Sequence, residues 1–187
     1  ALAIGDIPLI IGGDHSIAQG SVAGVAAHYQ DQSQSIGLLW FDAHGDINTP
    51  QSSPSGNIHG MPLAHLLGYG DADLANIMDF SPKVRPENVV LIGIRDIDPY
   101  EQKIIHDLDI ENYTMEYINK YGLTDILTSI RNIDSPIHLS FDVDSIDPKY
   151  FASTGTPVEN GLKLNDIYNI IERLKGHIVS ADIVEFN

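Results

Sequence analysis

Short aliphatic runs alternate along the chain with stretches in which apolar residues recur every three or four positions, the pattern of strands and helices taken in turn. Residues 7–11, 36–41 and 137–141 read as strands of a parallel sheet buried on both faces. Further strands are predicted over 88–94, near Tyr113 and over 178–186. Helical patterns cover residues 16 to about 28, with Ser16 as the cap, and 99–108, 123–130 and 164–174. Residues 47–60 are too rich in Pro, Ser and Gly for regular structure, and a loop of that length points to function rather than filler. There is no internal repeat, linker or low-complexity segment. The alternation predicts a single α/β domain over residues 1–187, built on a mainly parallel sheet.

Three polar clusters stand at the ends of three of the apolar runs. They are Gly12-Gly13-Asp14-His15-Ser16, Asp42-Ala43-His44-Gly45-Asp46 and Ser140-Phe141-Asp142-Val143-Asp144. Open parallel sheets bind ligands beyond the carboxyl ends of their strands, so the clusters are expected to converge on one rim. Strand parity would put Asp42, His44 and Asp46 on one face, and likewise Asp142 and Asp144. Four carboxylates brought together there would repel strongly, each pair at ~4 Å costing ~4 kcal/mol at an effective dielectric of 20. A fold stable by only ~5–15 kcal/mol needs that charge cancelled, and two divalent cations ~3.5–4 Å apart would do so. Carboxylates with two imidazoles, His15 and His44, make a hard, oxygen-rich set that suits manganese. His28, His65, His106, His138 and His177 read as structural; His138 lies about 13 Å down its strand from Asp142, at ~3.3 Å per residue.

Composition narrows the partners. A chain of 187 residues, 43% hydrophobic, can bury a core, and no apolar stretch reaches the length of a membrane span. The net charge of −16 argues against nucleic acid and against an anionic membrane surface, and favours a substrate with a cationic head. The absence of cysteine excludes a disulfide scaffold and agrees with a cytoplasmic location.

Together with Ser55-Gly56-Asn57-Ile58-His59-Gly60, Asp147-Pro148 and Thr154-Gly155-Thr156-Pro157, the three clusters resemble the signatures of the ureohydrolases, most closely the arginases. The resemblance implies a three-layer α/β/α sandwich of the arginase/deacetylase type and manganese-dependent hydrolysis of L-arginine to L-ornithine and urea. It implies two Mn²⁺ per subunit, one held by His15, Asp42, Asp46 and Asp142 and one by His44, Asp42, Asp142 and Asp144. Asp46 would pass a proton to the leaving amine, His59 would shuttle protons, and Glu185 would clamp the guanidinium group. Asn48, Ser53 and Ser55 would read the substrate carboxylate and Asp98 its amine, with Asn57, Glu101 and Thr156 as further substrate contacts. Ser53 stands where arginases often carry Thr. The side chains of Asn48, Ser53 and Ser55 also form turns routinely, and both roles can hold at once. Compared with the family, the chain lacks opening βα units and the segment after Asn187. It is therefore expected to be a fragment with an exposed, aggregation-prone sheet edge. A homo-oligomer, trimer or hexamer, is expected of the full-length protein.

Other readings stay open on the residues alone. Agmatinase is the nearest, followed by guanidinobutyrase and formimidoylglutamase. A metal-dependent amide deacetylase shares the Asp-x-His strand end but needs neither a second metal nor the Glu185 clamp. A non-catalytic module would be expected to lack a ligand or the His59 loop.

Overall fold

In the computed structural model, which describes residues 1–186, six strands pair in parallel into one sheet of order β1-β6-β5-β2-β3-β4. The elements in chain order are β1 (Leu9–Ile11), α1 (Ala18–Gln30), β2 (Gly37–Phe41), α2 (Pro62–Leu66), α3 (Ala72–Ala75), β3 (Val89–Ile92) and α4 (Pro99–Asp107). They continue with β4 (Glu111–Tyr113), α5 (Met115–Tyr121), α6 (Thr124–Asn132), β5 (Ile137–Asp142), α7 (Leu164–Arg173) and β6 (Ile178–Val184).

Alternation along the central strands explains the layers. On β2, Leu38 and Trp40 turn to one face and pack with Val22 and Val25 of α1, Leu63 of α2 and Ile105 of α4. Leu39 and Phe41 turn to the other face, against Ile118 of α5, Ile126 and Ile130 of α6, and Ile170 of α7. Strands sandwiched this way lose their polar positions, which is why β2 reads as an unbroken apolar run. The chain runs from β2 outward through β3 to β4, then crosses back to β5 on the opposite side of β2 and on to β6. The strand order therefore reverses between β2 and β5, the switch point where open α/β sheets form their binding crevice.

Several expectations need correction. β1 is not buried on both faces. It is an edge strand with β6 alone beside it, and Leu9 and Ile11 are 57% and 69% exposed. Ser16 does not cap the first helix. A turn of 3-10 helix (His15–Ile17) precedes α1, and Asp14 caps it by accepting from the Ser16 amide at 2.9 Å. β3 stops at Ile92 because Gly93 turns the backbone to φ +97°, and β6 stops at Val184 because Glu185 has φ 56°. Helices α2, α3 and α5 were not anticipated. All three are short, of 5, 4 and 7 residues, too few to display a helical period.

Candidate metal centre

The residues leaving the switch point are placed by loops rather than by strands. β2 ends at Phe41, and the Asp42 carboxylate folds back to accept the His44 amide at 2.7 Å. Asp46 takes a positive φ of 50° and its carbonyl accepts the Leu63 amide. Asp142, the last residue of β5, caps a single 3-10 turn (Val143–Ser145) by accepting the Asp144 amide at 2.8 Å. The predicted convergence thus occurs, but strand parity is not its cause, because Asp144 and the 42–46 segment lie outside the strands.

Two groups of ligand atoms result. His15 Nδ1 lies 3.1 Å from Asp42 Oδ2, 2.9 Å from Asp46 Oδ2 and 3.1 Å from Asp142 Oδ2. His44 Nδ1 lies 3.3 Å from Asp42 Oδ1 and 3.1 Å from Asp144 Oδ2. Asp42 turns one oxygen to each group. The second Asp142 oxygen is taken by the Asp144 amide, and Asp142 is grouped with His15 and not with His44.

These residues fit a cation on the evidence of the imidazole itself. His15 Nδ1 is fully buried and makes no hydrogen bond of good geometry, although three carboxylates surround it. Its other nitrogen, Nε2, is 3.0 Å from the Ser140 hydroxyl, and Ser140 donates its one proton to Asp182 Oδ1 at 2.7 Å. Nε2 must then be the donor to Ser140, which leaves Nδ1 a bare lone pair aimed at the carboxylates. Trp40 stacks on the His15 ring at 4.1 Å and donates its indole N–H to Asp42 at 3.0 Å.

Without a cation, protons take its place. Burial alone would lower His44, yet the carboxylates of Asp144 and Asp42 hold it up to about 12. Burial opposes the His15 charge too, but the Asp142, Asp42 and Asp46 carboxylates gathered around Nδ1 raise it well above the usual range. Asp46 and Asp142 are pushed up by burial and by the charge on Asp42. Asp42 stays ionised against its burial because both imidazoles face it.

Above the two groups lies a cleft of about 480 Å³. It is floored by His15, His44, Asp46, Asp142 and Asp144, with Asp42 beneath them and 1% exposed. The 47–60 loop supplies Asn48, Ser53, Ser55, Asn57 and His59 to its walls, and Glu101, Thr156 and Glu185 complete them. Ser53 Oγ accepts the Gly56 amide and Ser55 Oγ the Asn57 amide, so both hydroxyls shape the turn, and the two lie 3.5 Å apart with one donating to the other. Thr156 donates to Asp144 Oδ2 at 3.2 Å. His59 sits at the lip with Nδ1 3.3 Å from Asp14 Oδ2, and Glu185 Oε1 accepts the His15 amide at 2.8 Å.

Asp98 does not line the cleft. One of its oxygens caps α4, accepting from Tyr100 and Glu101, and the other accepts the Asn48 side-chain amide at 2.7 Å. Glu101 lines the cleft instead, completing the capping box through the Asp98 amide. Its carboxyl is pushed up to about 7 by burial, with Asp98 adding repulsion. Because the folded value exceeds the ordinary 4.5, the protonated form favours the fold, and that contribution is lost as pH rises from 4.5 through 7. Glu101→Gln in the metal-free chain is therefore expected to stabilise it at pH 8 by on the order of 2–3 kcal/mol and to change it little at pH 5. Thermal denaturation at both pH values checks this, and equal effects at the two would contradict it.

Residues missed by sequence reasoning form a buried ladder behind His15. The register pairs His138 with Ser180 and Ser140 with Asp182. Asp182 accepts from Ser140 and Ser21 and lies 3.0 Å from His138 Nε2, and the hydrogen bonds from His138 and Ser21 keep it ionised despite burial. His138 is structural, as read, but it has partners. Its parity with Ser140 and Asp142 on one strand was the available signal.

Fold and site together define an α/β protein with a carboxylate-rich cleft, fit for a cation, at the C-terminal rim of a parallel sheet. The Arginase family model matches residues 1–187, and the chain belongs to that family of metal-dependent enzymes. It is 45% identical to the arginase of Bacillus caldovelox, over 98% of this chain and 62% of that one, and 45% identical to the arginase of Bacillus subtilis (strain 168), over 96% and 61%. The chain thus spans about three-fifths of the length of these relatives. The native structure of the Bacillus caldovelox enzyme superposes with a TM-score of 0.94, covering 100% of this chain and 63% of that one. The Entamoeba histolytica arginase solved with L-ornithine gives 0.90 at 42% identity, covering 97% and 63%.

Proposed function

We propose that this site hydrolyses the guanidinium group of L-arginine to L-ornithine and urea with two manganese ions bound. The observation that carries the proposal is the pair of histidine–carboxylate groups sharing Asp42 at the floor of a cleft walled by neutral donors. Manganese follows from the hardness of the donor set, four carboxylates and two imidazoles with no thiolate. Divalent ions bound there would supply the nucleophile, since they lower the pKa of water toward neutrality.

The chain's own residues do the rest. Glu185 lines the cleft with one oxygen held by the His15 amide, leaving the other for the planar cationic guanidinium. Asp46 stands on the floor, its Oδ2 2.9 Å from His15 Nδ1, and carries the proton to the leaving amine. His59, at the lip and oriented by Asp14, exchanges that proton with solvent. Asn48, Ser53 and Ser55 donate to the α-carboxylate; Asn48 is fixed between Asp98 and Ser52 and so presents a preset amide. Glu101 takes the α-amino group, with Asp98 acting through Asn48 rather than on substrate. Assembly as a trimer or hexamer and a cytoplasmic location belong to the same proposal. They are supported by the family resemblance and the cysteine-free composition. Among the described residues no helix is long and apolar enough to cross a membrane.

Urea release from L-arginine and from agmatine, with manganese and with a chelator, tests the reading. Metal-dependent turnover of arginine is expected, with agmatine at least about 100-fold poorer because its missing carboxylate leaves the Asn48 and Ser55 donors unpaired. Preference for agmatine would overturn the carboxylate assignment, and metal-independent turnover would overturn the mechanism.

A further inference from the structure

Arg95 follows Gly93 and Ile94 just beyond β3 and touches nothing in the cleft, yet it joins every loop that shapes one half of the centre. Its backbone N–H and that of Asp96 both donate to the carbonyl of Ala43, the residue between Asp42 and His44, each at 2.9 Å. Its guanidinium then crosses to the far side of the switch point. Nη2 donates to the carbonyls of Asp144 at 2.6 Å and Val158 at 2.7 Å, and Nε to Glu159 at 3.0 Å. Nη1 donates to Gly93 at 3.0 Å and Ser145 at 3.4 Å. All five N–H donors of the side chain are thereby used on backbone carbonyls.

The consequence is lopsided. The Asp144 side chain, held through its own carbonyl, faces His44 Nδ1 with one oxygen and the Ala43 amide with the other. Arg95 thus fixes both ends of the His44–Asp144 pair, from Ala43 on one side and from the Asp144–Ser145 turn on the other. It also pins the segment that brings Thr156 onto Asp144 Oδ2. The His15 group is braced by other means, the Glu185 carboxylate on the His15 amide and the Ser140–Asp182 ladder on its ring. Close packing enforces the clamp. A Cβ on Gly161 would come within 2.7 Å of Arg95 Nη2 and 2.5 Å of the Asp147 nitrogen, so only glycine lets this segment seat.

We propose that Arg95 is a positioning residue for the second ion alone, holding Asp144 and His44 in register for the cation they share with Asp42, and that it leaves the His15 ion untouched. The inference rests on the two-ion reading above. Lysine cannot substitute, since its three donors radiate from one atom and cannot span carbonyls from three segments.

The test is manganese binding to the chain by calorimetry and by low-temperature electron paramagnetic resonance, with circular dichroism of each metal-free variant. The wild-type chain is expected to bind two ions and show the signal of a coupled pair. Arg95→Lys and Arg95→Gln should keep one ion near wild-type affinity and weaken the other about 10–100-fold, so that a single-ion spectrum replaces the coupled one. Adding His44→Asn to Arg95→Lys should cost little more, whereas adding His15→Asn should remove the remaining ion. Equal weakening of both ions, or of neither, would overturn the proposal. So would loss of the wild-type dichroism in both Arg95 variants, because Arg95 would then serve the fold rather than one ion. A wild-type chain that binds fewer than two ions removes the two-ion reading, and the inference with it.

Discussion

Asp42→Asn is expected to abolish manganese-dependent urea release from L-arginine, by at least about 10³-fold, while the chain stays folded. Asp42 is the one residue that belongs to both ligand groups, with Oδ2 toward His15 and Oδ1 toward His44. Asparagine keeps the shape and can still accept from the Trp40 indole or the His44 amide, the two bonds that fix this side chain. It removes the charge and presents an N–H₂ to one of the two ligand groups. Loss of both ions leaves nothing to activate water near neutral pH, and several kcal/mol of barrier reduction go with it, each 1.36 kcal/mol being about tenfold in rate. Metal content by mass spectrometry together with urea release checks the prediction. Two retained ions, or activity above a tenth of wild type, would contradict it.

Saturating manganese is expected to raise the midpoint of thermal unfolding by about 10–20 °C relative to chelated protein, and by more at pH 8 than at pH 6. Each ion at one hundred times its dissociation constant stabilises the fold by about 2.7 kcal/mol, so two contribute about 5 kcal/mol, comparable to the whole stability of a small domain. At this chain length 1 kcal/mol corresponds to about 2–4 °C. The pH dependence follows from the protons that the ions displace. His44 is raised from 6.5 to about 12 in the metal-free fold, so its contribution is complete below 6.5 and is lost as pH rises through 12. The metal-free chain therefore weakens with rising pH over that window, while the ions meet less competition from protons. A shift below about 2 °C, or a larger shift at pH 6, would count against the centre described here.

The convergence of the three polar clusters on one rim was legible because it follows from where a parallel sheet ends its strands. Buried strands must be aliphatic, loops at their C-termini carry the polar residues, and crossing from β4 back to β5 brings the ends of β2 and β5 side by side. What misled is equally physical. Parity arguments extended strands past Phe41 and Asp142, where an Asx-type turn and a capped 3-10 turn do the aiming. An edge strand such as β1 has the same composition as a central one, so Leu9 and Ile11 read as buried. The family resemblance assigned Asp98 to the substrate amine, whereas here its two oxygens are taken up by the α4 cap and by Asn48. The Ser140–Asp182–His138 ladder, of which strand parity gave only the β5 half, and the Arg95 clamp were missed for a different reason. Each depends on pairing between segments, between β5 and β6 in one case and among three loops in the other, and no local spacing encodes it.

The most direct test of a two-ion centre is a titration of the metal-free chain with manganese, following bound metal and urea release from L-arginine in the same samples. The two-ion account predicts that activity stays low at one equivalent and rises fully only as the second binds, with a coupled-pair resonance spectrum appearing in step. Full activity at one equivalent, or two bound ions without turnover of any guanidino substrate, would contradict it.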